Sequence, residues 1–138
     1  MKRYSEAERL LREVLQARRQ NLGGKHLSTL VTAGNLGSLL MSKGETAEAE
    51  VLYCEAATGC RQLLGQYHRR TLAADNNLAC LQFKTGKFAE AEKLFEQVHT
   101  ISKMVLGKNH SHTKAARYYL RASRRQILFD ASVASPLT

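Results

Sequence analysis

The chain has 138 residues, which is the size of one ordinary domain. Hydrophobic residues make up 43% and charged residues 24%, a balance that excludes a disordered chain, and no apolar run approaches the ~18 residues of a membrane span. The formal charge of +9 indicates anionic partners, but it does not choose among acidic peptides, nucleic acid and lipid surfaces.

Apolar residues recur at helical spacing along almost the whole chain, and no stretch alternates with the period of a strand. Glycine follows most of these segments, as it commonly does at helix ends, and Ser28 or Thr29 is the expected cap of the second helix. The remaining segment, 130–138, is small and polar and carries the one proline, so we expect a frayed, flexible tail. The predicted helices span about 2–22, 28–43, 46–64, 70–85, 88–106 and 111–128.

A repeat of 42 residues underlies this pattern. The segment GKFAEAEKLFEQV at 86–98 is echoed by GETAEAEVLYCEA at 44–56 and, more faintly, by RYSEAERLLREV at 3–14. Aligned without gaps, 23–64 and 65–106 share 15 identical residues of 42, where average composition gives roughly two or three. A fixed period of this length predicts an array of antiparallel helix pairs.

Small residues recur where paired helices should cross closely. Gly37 and Ala79 occupy this place on the first helix of each pair, and Ala49 and Ala91 on the second. A bulky side chain at any of them should overpack the contact. The third copy differs, because Arg121 stands in the register of Gly37 and Ala79, which indicates that no helix packs there.

The motifs NLGSLLMSKGETAEAEVLY and NLACLQFKTGKFAEAEKLF resemble the tetratricopeptide repeat, and the LG-x-x-H-x-x-T-L linker resembles the longer variety found in kinesin light chains. The resemblance implies an all-α, right-handed superhelical solenoid of about six helices. It divides one array, 1–129, into a half repeat, two full repeats and a terminal half repeat or cap, at 3–22, 23–64, 65–106 and 107–129.

Two departures from the family pattern matter. Leu27, Arg69 and Ser111 stand where the family usually has proline after the linker histidine. The first helix resembles the second member of a pair whose first member is missing. We therefore expect an uncovered apolar face that pairs with another chain, drawn from Tyr4, Ala7, Leu11 and Leu15.

The resemblance also implies a site, because the first helices of tetratricopeptide pairs line a concave groove that holds a peptide. Asn35 and Asn77 match the groove asparagine, whose amide both donates to and accepts from a bound backbone. The same face carries Ser38, Cys80 and Lys84, and in the sixth helix Tyr118, Tyr119 and Ala122. The implied partner is a protein or peptide, acidic in character because the chain is basic.

A basic patch forms on the sixth helix. Arg117, Arg121 and Arg125 are four apart and so share one side, with Arg124 beside them. Guanidinium groups bind carboxylates and phosphates by paired hydrogen bonds, so the patch is read as a site for an acidic segment or as a solvated outer face. Interleaved tyrosines also suit nucleic acid, but no helical nucleic-acid recognition motif is present in the sequence.

Nothing in the sequence predicts catalysis, a cofactor or a metal centre. No nucleophile elbow, phosphate-binding glycine loop or HExxH motif occurs. His26, His68 and His110 recur once per repeat and are expected to pack linkers or cap helices, since successive repeats lie too far apart to share a zinc ion. Cys54, Cys60 and Cys80 form no CxxC pair, which favours small buried thiols in the cytoplasm.

Three functions remain open from the sequence. The favoured one is a non-catalytic scaffold that binds a peptide in the groove. The alternatives are a module for self-assembly through the incomplete terminal repeats and, less favoured, a helical repeat protein associated with nucleic acid. No membrane contact is expected.

Overall fold

The computed structural model describes residues 2–134 and contains only α-helices there, which confirms the predicted all-α class. The predicted boundaries agree with the observed ones to within one or two residues, except at the end of the last helix. The helices are α1 (Lys2–Asn21), α2 (Leu27–Ser42), α3 (Thr46–Leu64), α4 (Arg69–Lys84), α5 (Phe88–Val105) and α6 (Ser111–Ala134).

Glycine ends five of these helices in the same way. Each glycine has a φ between 84° and 93°, a left-handed backbone that other residues adopt only with strain. They lie 21 residues apart, which is half of the repeat: Gly23, Gly44, Gly65, Gly86 and Gly107.

The next position in this series is Leu128, and α6 continues through it to Ala134. The expected end near 128 and the expected tail from 130 are therefore wrong over 130–134, because no glycine interrupts the helix. The rest of that tail, 135–138, lies outside the described residues.

The linker histidines cap the helices that follow them. His26 Nδ1 accepts a hydrogen bond from the backbone N–H of Ser28 at 3.1 Å. His68 and His110 repeat this contact with the N–H groups two residues on, at 3.0 and 3.1 Å. The capping role predicted for the histidines is confirmed, whereas Ser28 and Thr29 do not cap α2, since His26 already satisfies the free N–H.

The chain divides into two compact units, 1–74 and 75–138, with the division inside α4. In the first unit α2 packs against both α1 and α3. Ala49 is fully buried, and a Cβ added to Gly37 would lie 3.0 Å from the Tyr53 ring. The small residues predicted for this helix crossing are therefore required by its closeness.

In the second unit α5 packs against α6. A core cluster joins Ala79 of α4, Ala91 and Phe95 of α5, and Leu120 of α6, and the first three are 0% exposed. Arg121 is exposed, as its charge predicted. The small residues Ala79 and Ala91 thus occupy the tight positions that the repeat register assigned to them.

Not every apolar residue at helical spacing is buried. Leu63 and Val105, which share one register, are 50% and 41% exposed, because each lies in the last turn of its helix. On α1, Leu15 is buried, Ala7 and Leu11 are half-buried and Tyr4 is exposed. Leu15 therefore does not contribute to the expected uncovered face, whereas Tyr4 does, and the large exposed apolar residues of this helix are Tyr4, Leu10 and Val14.

Candidate functional site

The two repeat asparagines lie exposed on the middle turns of their helices. Asn35 follows half-buried Gly34 and precedes buried Leu36 on α2, and Asn77 likewise precedes buried Leu78 on α4. The leucines hold each helix face against its own unit and leave the amide at the surface. Within the described residues neither asparagine side chain makes a hydrogen bond, so both amides can bind a ligand backbone.

The neighbouring site residues are partly engaged by the protein itself. Ser38 is exposed, but its hydroxyl is hydrogen-bonded to the Tyr53 hydroxyl at 2.8 Å. Cys80 is half-buried, and burial raises the pKa of its thiol although Lys84 acts in the opposite direction. A thiol kept protonated is a poor nucleophile, so Cys80 is suited to packing rather than to chemistry. Lys84 is exposed.

The three predicted residues of α6 have different environments. Tyr118 is 62% exposed and Ala122 is half-buried. The Tyr119 ring is stacked on Phe95, with centroids 5.3 Å apart, and meets Phe83 edge to face at 5.6 Å. Register alone placed Tyr119 with the asparagines, but its ring packs against the core of the second unit.

One face of α6 is basic from Lys114 to Arg125. The side chains line a cavity of about 590 Å³ open to solvent. The arginines predicted as a patch are all included, and Lys114, three residues before Arg117, is an addition that helical spacing could have found. We call this set the basic stripe: Lys114, Arg117, Tyr118, Arg121, Arg124 and Arg125.

The cations of the basic stripe are mostly unpaired. Arg124 donates to Glu92 at 3.1 Å and lies 3.5 Å from Glu96. Arg117, Arg121 and Arg125 have no carboxylate partner anywhere in residues 2–134. Their charge is therefore available to an external anion.

In the first compact unit, 1–74, arginines on α1 are paired with glutamates on α3. Arg12 bonds both oxygens of Glu48, at 2.7 and 2.8 Å, and Arg19 bonds Glu55 at 2.7 Å. The hydrogen bond from Arg12 is the main reason that the pKa of Glu48 is lowered. Such exposed pairs add little stability, but their charges neutralise one another, and they leave no comparable cationic row among the side chains described in this unit.

His99 on α5 lies close enough to α6 to be affected by the positive charges of the basic stripe. Burial is the first cause that lowers the pKa of His99. The positive charges of Arg117, Lys103, Arg121 and Arg124 lower it further. Only the folded chain brings α5 and α6 together, so no local pattern could have revealed this.

Replacing Arg117 by glutamine should raise the pKa of His99, because Arg117 exerts the largest of these charge effects. The pKa can be followed by NMR titration of the imidazole. Because folding lowers the pKa of His99, the free energy of unfolding falls as pH decreases from about 6.5 through the pKa of the folded state. The Arg117→Gln variant should lose less stability over this pH range than the wild type. Arg125→Gln is the control, and an equal shift there would contradict the assignment.

We also searched the described residues for a metal site, a membrane-spanning helix and a disulfide. No group of three histidine, cysteine, aspartate or glutamate side chains in residues 2–134 could hold a metal ion. Of the helices in that range, none combines the length and apolar character that a bilayer crossing requires. The three cysteines form no disulfide, and Cys54 is exposed, contrary to the expected burial.

Comparisons with known proteins agree with this architecture. The tetratricopeptide repeat family profile matches residues 1–62 and 35–104. The crystal structure of the nearly identical TPR-like repeats of a putative kinesin light chain from Podosopora anserina has a TM-score of 0.83 and 26% identity over 89% of this chain. A variant of that protein with one glutamine changed to methionine has a TM-score of 0.77 and 27% identity over the same share. The chain spans 58% of the length of each.

A third structure shares the fold alone. BtubC (BKLC) from P. vanneervenii has a TM-score of 0.71 and 17% identity, with 99% of this chain and 60% of that one covered. No curated protein sequence matches the chain. The resemblance to kinesin-light-chain repeats first suggested by the linker motif is confirmed by the named neighbours.

Proposed function

The chain belongs to the tetratricopeptide repeat family, and from that membership we propose that it is a non-catalytic scaffold that binds an acidic peptide segment of another protein. Arrays of this family are generally protein-interaction scaffolds, and their first helices line a groove for the peptide. By their place in the repeat, α2, α4 and α6 correspond to the first helices of such pairs. The net charge of +9 supports an acidic ligand.

The observation that carries the proposal is the pair of exposed, unbonded amides at Asn35 and Asn77. Each belongs to a different compact unit and each is fixed on a helix packed on its own second helix or core. An amide held in place before the ligand arrives loses little freedom on binding. Each can then exchange two hydrogen bonds with an extended backbone.

Changing both asparagines to alanine should weaken ligand binding by about tenfold or more, because each substitution removes hydrogen bonds worth about 0.5–1.5 kcal/mol. The measurement is quantitative affinity capture from cell extract, followed by titration of peptides from the captured proteins. Helicity should be unchanged, since both side chains are exposed.

The matched control is Asn21→Ala with Asn109→Ala, which removes two other exposed asparagines. Partners captured by the wild type should be depleted by the Asn35/Asn77 variant and retained by the control. If both double variants capture the same partners with equal affinity, the peptide-binding assignment is wrong.

Self-assembly remains the second candidate, and the exposure of Leu10 and Val14 on α1 supports it, at 52% and 38%. Apolar side chains one helical turn apart form a small patch that a second chain could cover. Sedimentation over a wide concentration range tests it. A monomer at every concentration would exclude assembly through α1.

A further inference from the structure

One face of α2 packs closely on α3. A Cβ on Gly34 would lie 3.9 Å from Ala56, and one on Gly37 would lie 3.0 Å from the Tyr53 ring. Leu30 is so close to α3 that a Cβ on Gly59 would lie 2.4 Å from it. Met41 lies 4.0 Å from the Tyr53 hydroxyl through its sulfur. Buried Ala33 and Leu40 share this side of the helix by their spacing. We define the seam positions of α2 as the four contact residues and these two: Leu30, Ala33, Gly34, Gly37, Leu40 and Met41.

Adding two repeat lengths, 84 residues, to each seam position gives the basic stripe of α6. Leu30 corresponds to Lys114, and Gly37 to Arg121. Every one of the six positions changes from apolar or small to cationic or tyrosine. The middle copy differs from both, because it carries no cation at these positions. Leu72, Ala79 and Phe83 remain apolar there, with Phe83 in contact with Phe88 of α5, while the other three positions are polar: Asp75, Asn76 and Gln82.

The change from apolar or small residues to cationic ones alters the kind of helix that can pack on this face. An apolar second helix would bury unpaired guanidinium groups, which costs several kcal/mol for each ion. A helix with carboxylates on its facing side would pair them instead. The chain already contains one such contact, because Glu92 and Glu96, four residues apart on α5, both meet Arg124.

The spacing of the free cations fits the same geometry. Arg117, Arg121 and Arg125 recur every four residues, which is a rise of about 6 Å along the axis. Glutamates four residues apart on a second helix have the same rise. Exposed Tyr118 lies between the arginines and provides a ring for apolar contact.

We propose that the basic stripe is a docking surface for an acidic helix of a partner protein, which lies on α6 where α3 lies on α2. This surface is distinct from the amides of Asn35 and Asn77 and does not depend on them. Nucleic acid is less well matched, since the seam register in this chain is shaped by helix packing and the cations form a single row on one helix.

The test uses a synthetic peptide with glutamates every four residues in an alanine-rich helix. The control peptide has the same composition, but its glutamates are two residues apart and therefore lie on different sides of the helix. Fluorescence anisotropy at low salt measures binding. The variant Arg117→Gln/Arg121→Gln/Arg125→Gln is compared with Lys25→Gln/Arg69→Gln/Lys108→Gln, which removes three exposed charges elsewhere.

The stripe variant should lose about tenfold in affinity, since exposed ion pairs each contribute a few-fold, and the control variant less than about threefold. Binding should also raise the pKa of His99 by neutralising its cationic neighbours. Asn35→Ala/Asn77→Ala should leave this affinity unchanged, which separates the docking surface from the peptide site.

Three results would overturn the proposal. The two triple variants could weaken binding equally, the rearranged peptide could bind as well as the ordered one, or His99 could keep its pKa in the complex. A single-stranded oligonucleotide that binds more tightly than the ordered peptide, and loses that binding in the stripe variant, would assign the surface to nucleic acid instead.

Discussion

Replacing Ala91 by arginine is expected to lower the free energy of unfolding by about 3–5 kcal/mol, a large share of the roughly 5–15 kcal/mol that is ordinary for a domain. Ala91 is 0% exposed and belongs to the cluster with Ala79, Phe95 and Leu120. An arginine there must either bury its charge without a partner or force α5 away from the residues that it contacts. Both outcomes are costly, because the crossing was close enough to require alanine.

The stability of this variant is measured by urea unfolding followed by circular dichroism. Ala89→Arg is the matched control, since Ala89 lies two residues earlier on the same helix and is exposed. It should change the free energy of unfolding by less than about 0.5 kcal/mol. Equal stability of the Ala91 variant and wild type would show that the packing register is wrong.

Replacing Phe95 by alanine should cost about 3–5 kcal/mol, the usual range for a buried phenylalanine. Phe95 is 0% exposed, and its ring is nearly parallel to that of Tyr119, with an angle of 13° between them. Removing it leaves a cavity and deprives the tyrosine of its stacking partner. The second unit should lose stability more than the first.

Thermal unfolding and hydrogen exchange measure this effect. Phe95→Leu is the intermediate case, since leucine keeps most of the apolar volume, and its cost should be less than half that of alanine. If alanine and leucine at position 95 lower the stability equally little, the Phe95–Tyr119 pair does not support the core.

The sequence predicted the helices and the tight crossings because both depend on local repetition. Ala49 and Ala91 were identified by their common register, and their burial follows from the identical position of each in its helix pair. The linker histidines were similarly predictable, since a cap involves residues only two apart. Residues at equivalent positions of two repeats therefore have similar burial and similar local contacts.

The sequence failed where an environment depends on a neighbouring helix or on a missing terminator. Tyr119 shares a register with the asparagines, yet Phe83 and Phe95 draw its ring inward. His99 gains its lowered pKa from charges on another helix. α6 runs to Ala134 because Leu128 replaces a glycine, a change visible in the sequence only once the 21-residue glycine series is recognised.

The two proposed surfaces use the repeat in opposite ways. Asn35 and Asn77 occupy the same position in two copies of the repeat, whereas the basic stripe consists of residues that differ between the last copy and the others. A single chain can therefore present a repeated contact for an extended peptide and a unique contact for a helix. Because both surfaces are proposed to bind anionic segments, the affinity of each should fall as salt rises.

The most direct test of peptide binding is NMR of the side-chain amide groups of the isotope-labelled chain, titrated with a peptide from the captured partners. If the two amides contact the ligand, the NH₂ signals of Asn35 and Asn77 shift in proportion to bound peptide, while those of Asn21 and Asn109 stay in place. Shifts of equal size at all four, or none at Asn35 and Asn77 under saturation, would contradict that contact.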